Sequence, residues 1–307
     1  MNYKSILVTG GSGMTGKSLQ KIMPQAHYIS SRECNLINLE EVEALFEKYR
    51  PDCVVHLAAK AGGIFDNIKK PAEYFDENIL INTNVLRVAK KYDVQRLIAI
   101  LSTCAYPDVV DNYPMKEEDM HKGPPASTNI SYGYSKRALS VQIDAYNKQY
   151  GTRYQYITPC NLYGEYDKYG ENSHFVAALI KKIHQAKIYG EEKITLFGSG
   201  KPLRQFMHSD DLAKIIKRCI EDGVYENFNV ATEQNISIDD IARIALRACN
   251  ASDLKIEYDT TKPDGQFRKD VSIEKMKSLF PDFSPTKLFH GIVSTYSILQ
   301  QTWKHTA

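Results

Sequence analysis

The sequence predicts an α/β fold built on a doubly wound parallel sheet, and three features carry that prediction. Short apolar segments typical of buried strands alternate with segments of helical periodicity through the first half of the chain. A glycine-rich segment lies between the first predicted strand and the first predicted helix. The alternation weakens after about residue 160, which indicates a smaller mixed α/β lobe towards the C-terminus.

The predicted elements follow one another along residues 5–157. The predicted strands are Ser5–Thr9, Ala26–Ser30, Cys53–Leu57, Arg96–Leu101 and Tyr154–Ile157. The predicted helices are Gly13–Met23, Leu39–Tyr49, Pro71–Tyr92 and Tyr132–Tyr150. A turn-rich loop follows the fourth strand and reaches about Asn129. We therefore expect a Rossmann-type domain over residues 1–163, with a returning segment near 205–232, and a second lobe over 164–204 and 233–307.

The bulk composition argues against several classes of protein. A net charge of +2 over 307 residues does not favour nucleic-acid binding. The apolar segment Ser5–Val8 is too short for a signal peptide or a membrane span. The six cysteines contain no C-x-x-C pair, and the histidines show no metal-ligand spacing, so no metal site is expected. We expect a soluble, cytoplasmic protein with reduced cysteines.

Residues 10–18, GGSGMTGKS, fit two phosphate-binding patterns. The segment Gly11–Ser18 fits the phosphate loop of nucleoside triphosphatases, whereas Gly11, Gly13 and Gly16 fit the G-x-G-x-x-G dinucleotide loop. A phosphate-loop enzyme also needs an acid for magnesium at the end of a neighbouring strand, and residues 54–59 and 97–102 offer none. The pattern therefore favours a dinucleotide, and the expected contacts are Gly10, Gly11, Ser12, Gly13, Met14, Thr15 and Gly16.

The end of the second predicted strand bears on which dinucleotide is bound. A chain that binds NAD usually places an acid there to accept a hydrogen bond from the ribose 2′-hydroxyl. Here the strand ends in Ser30, Ser31 and Arg32, where hydroxyls and a cation suit a 2′-phosphate. The sequence therefore favours NADP, with Arg32 as the expected phosphate contact.

A candidate catalytic pair begins the long helix predicted after the loop. Tyr132 and Lys136 form Y-x-x-x-K, and their i,i+4 spacing places both side chains on one helix face. An ammonium beside the phenol predicts a lowered tyrosine pKa and a usable general acid for a carbonyl oxygen. Ser102 ends the fourth strand, and the carboxyl ends of parallel strands face the ligand crevice. Ser102 is therefore expected beside the pair.

Together, the glycine loop, Ser102, Tyr132 and Lys136 resemble the short-chain dehydrogenase/reductase superfamily in its extended, nucleotide-sugar-modifying form. Further segments resemble the superfamily's 3,5-epimerase/4-reductases of GDP-linked 4-keto-6-deoxy sugars, in order over essentially the whole chain. These segments are 101–107 (LSTCAYP), 121–125 (HKGPP), 159–164 (PCNLYG), 172–174 (NSH), 197–200 (FGSG) with Arg204, and 262–269 (KPDGQFRK).

The resemblance implies one active site with two acid/base systems. Cys104 would be the base and His174 the acid that invert C3 and C5 beside the C4 ketone, and NADPH would then reduce C4 while Tyr132 donates a proton. The cofactor contacts it implies beyond the glycine loop are Ala58, Lys136, Pro159, Asn161, Leu162 and His174. The substrate contacts it implies are Asn161, Lys182, Phe197, Arg204 and Asp264. Among these, Arg204 suits a pyrophosphate and Phe197 a nucleobase.

The resemblance also implies a homodimer in which the helices Pro71–Tyr92 and Tyr132–Tyr150 pair into a four-helix bundle. Glu165, Lys168, Lys182 and Phe197 depart from the residues common in these enzymes, which leaves the exact keto-sugar open. Three other interpretations remain at this point: a 4-ketoreductase of a related nucleotide-linked sugar, a non-catalytic protein that binds NADP, and an ATP-hydrolysing phosphate-loop protein.

Overall fold

The computed structural model describes residues 3–170 and 173–303. The strands are β1 (Ile6–Thr9), β2 (His27–Ile29), β3 (Cys53–His56), β4 (Arg96–Ile100), β5 (Tyr154–Pro159), β6 (Asn161–Tyr163), β7 (Lys193–Phe197), β8 (Leu203–Arg204), β9 (Phe206–His208), β10 (Phe228–Val230), β11 (Ile236–Ser237) and β12 (Lys255–Asp259). The helices are α1 (Met14–Ile22), α2 (Leu39–Tyr49), α3 (Ile64–Lys69), α4 (Pro71–Lys91), α5 (Ile130–Tyr150), α6 (Phe175–Tyr189), α7 (Ser209–Glu221), α8 (Ile238–Ala248), α9 (Glu274–Leu279) and α10 (Leu288–Trp303).

The central sheet is parallel, with the strand order β2-β1-β3-β4-β5-β10. Strands β1, β3 and β4 are buried along their whole length, as a sheet covered by helices on both faces requires. The strand order reverses between β1 and β3, and ligands of doubly wound sheets bind at the carboxyl ends beside such a reversal. This confirms the predicted fold class and places the glycine loop, which follows β1, at the crevice.

A second hydrophobic cluster packs beside the sheet. It draws buried residues from α6, α8 and α10, together with strands β7 and β9. Small two-stranded sheets accompany it: β7 with β12, β8 with β11, and β6 with β9. Strand β10 returns to the main sheet beside β5, and α7 packs on α1. These contacts support the two-lobe division, which we retain as a proposal.

The observed elements differ from the predicted ones at a few positions. Helix α3 was not predicted, because six residues are too few for a helical period to stand out. Helix α5 begins at Ile130, two residues before the predicted start. Asn172, part of the quoted 172–174 segment, lies outside the described residues. Within the described ranges, no helix combines the length and apolar character needed to cross a bilayer.

Candidate active site

The glycine loop brings the backbone close to two neighbouring segments. Gly10 has a φ of +71°, and a Cβ there would lie 2.8 Å from the backbone nitrogen of Ala58. A Cβ on Gly16 would lie 2.5 Å from the carbonyl oxygen of Gly11. Helix α1 starts after Gly13 with no side-chain cap and no acid in its first turn. This helix N-terminus therefore suits a pyrophosphate.

Lys17 and Ser18, which give residues 10–18 their likeness to a phosphate loop, contact other side chains. The Ser18 hydroxyl is buried and lies 2.9 Å from the Ser209 hydroxyl on α7. The Lys17 ammonium donates to the side chain of Gln20 at 3.2 Å. In a nucleoside triphosphatase these two groups would bind magnesium and the terminal phosphates. Their positions here support the dinucleotide interpretation.

The end of β2 carries an acid that the sequence argument overlooked. The Glu33 carboxylate accepts hydrogen bonds from the backbone nitrogen of Ser30 at 2.8 Å and from its hydroxyl at 2.7 Å. These bonds hold the pKa of Glu33 below its usual value. Arg32 is exposed next to it. The Glu33 carboxylate is thus engaged by Ser30, and Arg32 stands at this strand end as the sequence predicted.

Ser102, Tyr132 and Lys136 meet at the carboxyl end of β4. Ser102 precedes a short 3₁₀ turn, Thr103–Ala105, and its hydroxyl accepts from the backbone nitrogen of Cys104 at 3.2 Å. The Lys136 ammonium donates to the carbonyl oxygen of Ile100 at 2.8 Å and lies 5.8 Å from the centre of the Tyr132 ring. Burial lowers the pKa of Lys136 to about 8.

The predicted lowering of the tyrosine pKa is wrong for the side chains described here. Burial raises the pKa of Tyr132, and the charge of Cys104 raises it further. A hydrogen bond with Ser102 opposes these effects without overcoming them. The phenol is therefore protonated at neutral pH, which is the state that a proton donor for a carbonyl reduction needs.

The Cys104 thiol lies among cations. The Lys269 ammonium is 2.9 Å from its sulfur. Burial acts to raise the pKa of Cys104, but the charge and hydrogen bond of Lys269, the Ser102 hydroxyl and the charge of Arg204 together bring the pKa below its ordinary value. Cys104 is half-buried, whereas the other five cysteines are buried, and all six are free thiols. This arrangement favours the thiolate form of Cys104.

His174 is the N-cap residue of helix α6 and lies near enough to Cys104 to be affected by its charge. Its Nδ1 lies 2.9 Å from a carboxylate oxygen of Asp167, whose side chain is buried. The hydrogen bond with Asp167 raises the pKa of His174, and the charge of Cys104 adds to this effect. Asp167 was not predicted as a site residue, because an acid seven residues before a histidine matches no recognised pattern. The pair provides an imidazolium that is able to donate a proton.

The predicted phosphate contact Arg204 lies close to Cys104 and Asp264. Burial lowers the pKa of the Arg204 guanidinium, which the charges of Cys104 and Asp264 partly offset. Its Nη1 donates to the carbonyl oxygen of Leu203 at 2.8 Å. The Asp264 carboxylate accepts from the backbone nitrogen and hydroxyl of Ser199 at 2.6 and 2.8 Å. Asp264 thus links the turn at Ser199 to the segment near Arg204, where its charge acts on the guanidinium.

An aromatic pair stands at the outer end of this region. Phe65 on α3 and Phe197 on β7 are both half-exposed, with ring centres 5.9 Å apart in an edge-to-face arrangement. The Lys182 ammonium lies 4.8 Å from the Phe197 ring centre and donates to the Thr195 carbonyl at 2.6 Å. Phe65 was missed because α3 was missed. Each half-exposed ring offers an apolar face for a nucleobase.

The remaining predicted contacts line the carboxyl edge of the sheet. Ala58 follows β3, and Pro159 ends β5. Asn161 and Leu162 lie on β6, where the Asn161 amide donates to the carbonyl oxygen of Gln205 at 3.0 Å. Of these positions, Ala58 lies directly against Gly10 of the glycine loop.

One cluster of acids and a histidine lies near α7. Glu165, His208 and Asp210 bring ligand-type atoms within 4.8 Å of one another, although the sequence spacing suggested no such group. The Lys21 ammonium is 3.1 Å from Asp210 and 3.7 Å from Glu165. The backbone nitrogen of Asp210 donates to Nδ1 of His208, so the neutral ring carries its proton on Nε2. Lys21 supplies the cation here, and we assign no metal.

This fold and constellation define a nucleotide-sugar-modifying enzyme of the dehydrogenase type. The chain belongs to the NAD dependent epimerase/dehydratase family, whose model matches residues 6–231. A GDP-L-fucose synthase of Dictyostelium discoideum is 39% identical over 302 residues, which cover 94% of this chain and 93% of that protein. A probable GDP-L-fucose synthase of Drosophila melanogaster is 36% identical, over 93% of this chain and 94% of that protein.

A solved structure shares the whole fold. The GDP-L-fucose synthetase of Naegleria fowleri bound to NADP superposes with a TM-score of 0.89 at 31% sequence identity. The superposition covers 99% of this chain and 95% of that chain. The likeness therefore extends over both hydrophobic clusters.

Proposed function

We propose that this chain is a GDP-L-fucose synthase that inverts C3 and C5 of GDP-4-keto-6-deoxy-D-mannose and then reduces C4 with NADPH. The observation that carries the proposal is the meeting of Ser102, Tyr132 and Lys136 with Cys104 and His174 at one edge of the sheet. The near full-length relatives that carry this name support it. The aromatic pair and Arg204 suit a nucleoside diphosphate.

The residues present fit NADPH as the cofactor. The glycine cradle, where a Cβ at Gly10 or Gly16 would collide with backbone, leaves room for a pyrophosphate against α1. Arg32 would hold the 2′-phosphate, and Lys136 would hold the nicotinamide ribose. Bound NADPH supplies the hydride that reduces C4.

In the epimerase half, the C4 ketone acidifies the hydrogens on C3 and C5. The Cys104 thiolate removes one of these protons, and His174 returns a proton to the opposite face of the carbon. The hydroxyls of Ser102 and Tyr132 donate to the enolate oxygen, where negative charge accumulates. Each inversion thus moves one proton from carbon to Cys104 and one from His174 to carbon.

In the reductase half, Tyr132 gives its proton to the C4 oxygen as that oxygen gains negative charge. Its raised pKa keeps the phenol protonated until then. The Lys136 ammonium, fixed on the Ile100 carbonyl, then stabilises the phenolate that results.

The substrate is tested by a panel of nucleotide-linked 4-keto-6-deoxy sugars that carry guanine, uracil or thymine, with NADPH consumption as the readout. We expect the GDP-linked 4-keto-6-deoxy-mannose to give the highest kcat/KM. A higher value for a sugar linked to another base would contradict the guanine assignment. Reduction without exchange of solvent hydrogen at C3 and C5 would favour a pure 4-ketoreductase.

The Asp167–His174 pair leads to a prediction on pH dependence. Epimerisation requires Cys104 as thiolate and His174 as imidazolium, so its rate should rise and then fall with increasing pH. Asp167 raises the pKa of His174, and Asp167→Asn should therefore move the falling limb to lower pH. The measurement is deuterium exchange at C3 and C5 against pH, with Asp253→Asn at an exposed position as the control. An unmoved falling limb in Asp167→Asn would rule out His174 as the acid.

We also propose a homodimer that pairs α4 and α5 of two copies. The two helices pack side by side, and Leu80 on α4 and Val141 on α5 expose 45% and 55% of their surface. Exposed apolar residues on paired helices favour burial against a second copy. A double substitution, Leu80→Glu with Val141→Glu, should convert the dimer to a monomer in sedimentation velocity. A wild-type chain that sediments as a monomer would contradict the proposal.

A cytoplasmic location is part of the same proposal. All six cysteines are free thiols, and five of them are buried. Nucleotide-sugar substrates and NADPH are consistent with this reducing compartment.

A further inference from the structure

One contact that no motif predicted joins the side chains of Cys104 and Lys269. The two residues are 165 positions apart in the chain, and the ammonium is 2.9 Å from the sulfur. Lys269 is buried, with 8% of its surface exposed. No carboxylate in the described part of the chain forms an ion pair with it. A buried ammonium without a carboxylate is costly, and a thiolate at this distance offsets that cost.

The backbone next to Lys269 is fixed from two sides. Val271 donates to the Gln205 side chain at 2.9 Å, and the Gln205 amide donates back to the Val271 carbonyl at 3.1 Å. Met115 exchanges backbone hydrogen bonds with residues 270 and 272 at 3.0 and 2.7 Å. The ammonium therefore has a defined position beside Cys104, although the segment that carries it and the Cys104 turn lie 165 residues apart.

Lys269 acts on Cys104, the proposed base, and not on Tyr132, the proposed proton donor for reduction. Lys269 affects the pKa of Cys104, whereas burial, Cys104, Ser102 and Tyr74 account for the shift at Tyr132. Ser102, Tyr132 and Lys136 all lie on the elements of the main sheet and α5. Removal of the ammonium should thus affect proton abstraction from carbon and leave the hydride-transfer half intact.

We propose that Lys269 is a positioning residue that holds Cys104 as a thiolate and thereby supports epimerisation rather than reduction. The role in epimerisation rests on the function proposed above, whereas the effect on the thiol does not. In each inversion the C–H bond breaks, its proton forms the S–H bond, and its electron pair enters the enolate. Lys269 takes no part in the proton transfer itself; its contact with the sulfur favours the return of the Cys104 proton to solvent before the next inversion.

The first test measures the thiol itself. The rate of Cys104 alkylation by iodoacetamide, followed against pH, reports the thiolate because the other five cysteines are buried. Cys104→Ser provides the blank, and Lys255→Met removes an exposed lysine as the matched control. We expect Lys269→Met to raise the alkylation midpoint by about one pH unit or more, which is about tenfold less thiolate at neutral pH. Lys269→Arg should keep the alkylation midpoint close to the wild-type value.

The second test separates the two halves of the reaction. We expect deuterium exchange at C3 and C5 to fall in Lys269→Met by about the factor seen in alkylation, while single-turnover oxidation of GDP-L-fucose by NADP⁺ stays near the wild-type rate. An unchanged alkylation midpoint in Lys269→Met, with a melting temperature equal to that of Lys255→Met, would overturn the proposal. If Lys269→Met does not fold, Lys269→Gln is subjected to the same two measurements. A shifted midpoint in a protein that processes no GDP-sugar would overturn the proposed function while the thiol role stands.

Discussion

Replacing Cys104 by serine is expected to lower the exchange of solvent hydrogen at C3 and C5 by about 10²–10⁴-fold. The reason is that an alcohol does not ionise near neutral pH, whereas Lys269 and Arg204 lower the pKa of the thiol. Hydride transfer should fall far less, because the proton for the C4 oxygen comes from Tyr132 and not from Cys104. The measurements are deuterium incorporation by mass spectrometry and single-turnover oxidation of GDP-L-fucose by NADP⁺.

Cys249→Ser is the control for this substitution. Cys249 is buried in the smaller hydrophobic cluster, and burial raises the pKa of its thiol to about 12. This variant should keep both activities. Equal losses of exchange and hydride transfer in Cys104→Ser would contradict the assignment of Cys104 as the base.

The second large effect is expected at Tyr132. Tyr132→Phe removes the proton donor for the C4 oxygen, and general acid catalysis of this kind contributes about 10²–10⁴-fold. NADPH oxidation should fall by that factor. Exchange at C3 and C5 should fall less, because Ser102 still donates to the enolate oxygen. The rates are compared by stopped-flow absorbance of NADPH and by deuterium incorporation on the same preparations.

The chain provides a matched control two residues away. Tyr134 lies on the same helix, is 40% exposed and packs its ring 5.3 Å from the Arg137 guanidinium. Tyr134→Phe should leave NADPH oxidation near the wild-type rate. A retained rate in Tyr132→Phe, or a loss of similar size in both variants, would rule out Tyr132 as the specific donor.

The sequence was sufficient to predict the fold class, and it named the candidate site residues, whose roles stay predictions. Periodicity located β1, α2, β3, α4 and β5 to within one or two residues, since long buried strands and helices carry strong patterns. It missed α3, and with it Phe65. A helix of six residues has too few turns for its apolar face to be recognised.

The tertiary partners of the proposed catalytic groups could not be predicted from the sequence. Lys269 meets Cys104 across 165 residues, and no spacing rule connects them. Asp167 and Glu33 act through hydrogen bonds that depend on loop geometry. The direction of the Tyr132 pKa was also misjudged, because the i,i+4 spacing shows the lysine but not the depth of burial. Contacts and pKa shifts depend on the folded environment, whereas residue identity alone sets only the ordinary pKa of each group.

The central claim is that one site performs two inversions and one hydride transfer. The direct measurement is a reaction of the wild-type chain with GDP-4-keto-6-deoxy-D-mannose and NADPH in D₂O, followed by NMR of the reduced sugar. We predict GDP-L-fucose with deuterium at both C3 and C5 and hydrogen from NADPH at C4. A reduced sugar without deuterium at C3 and C5 would contradict the claim.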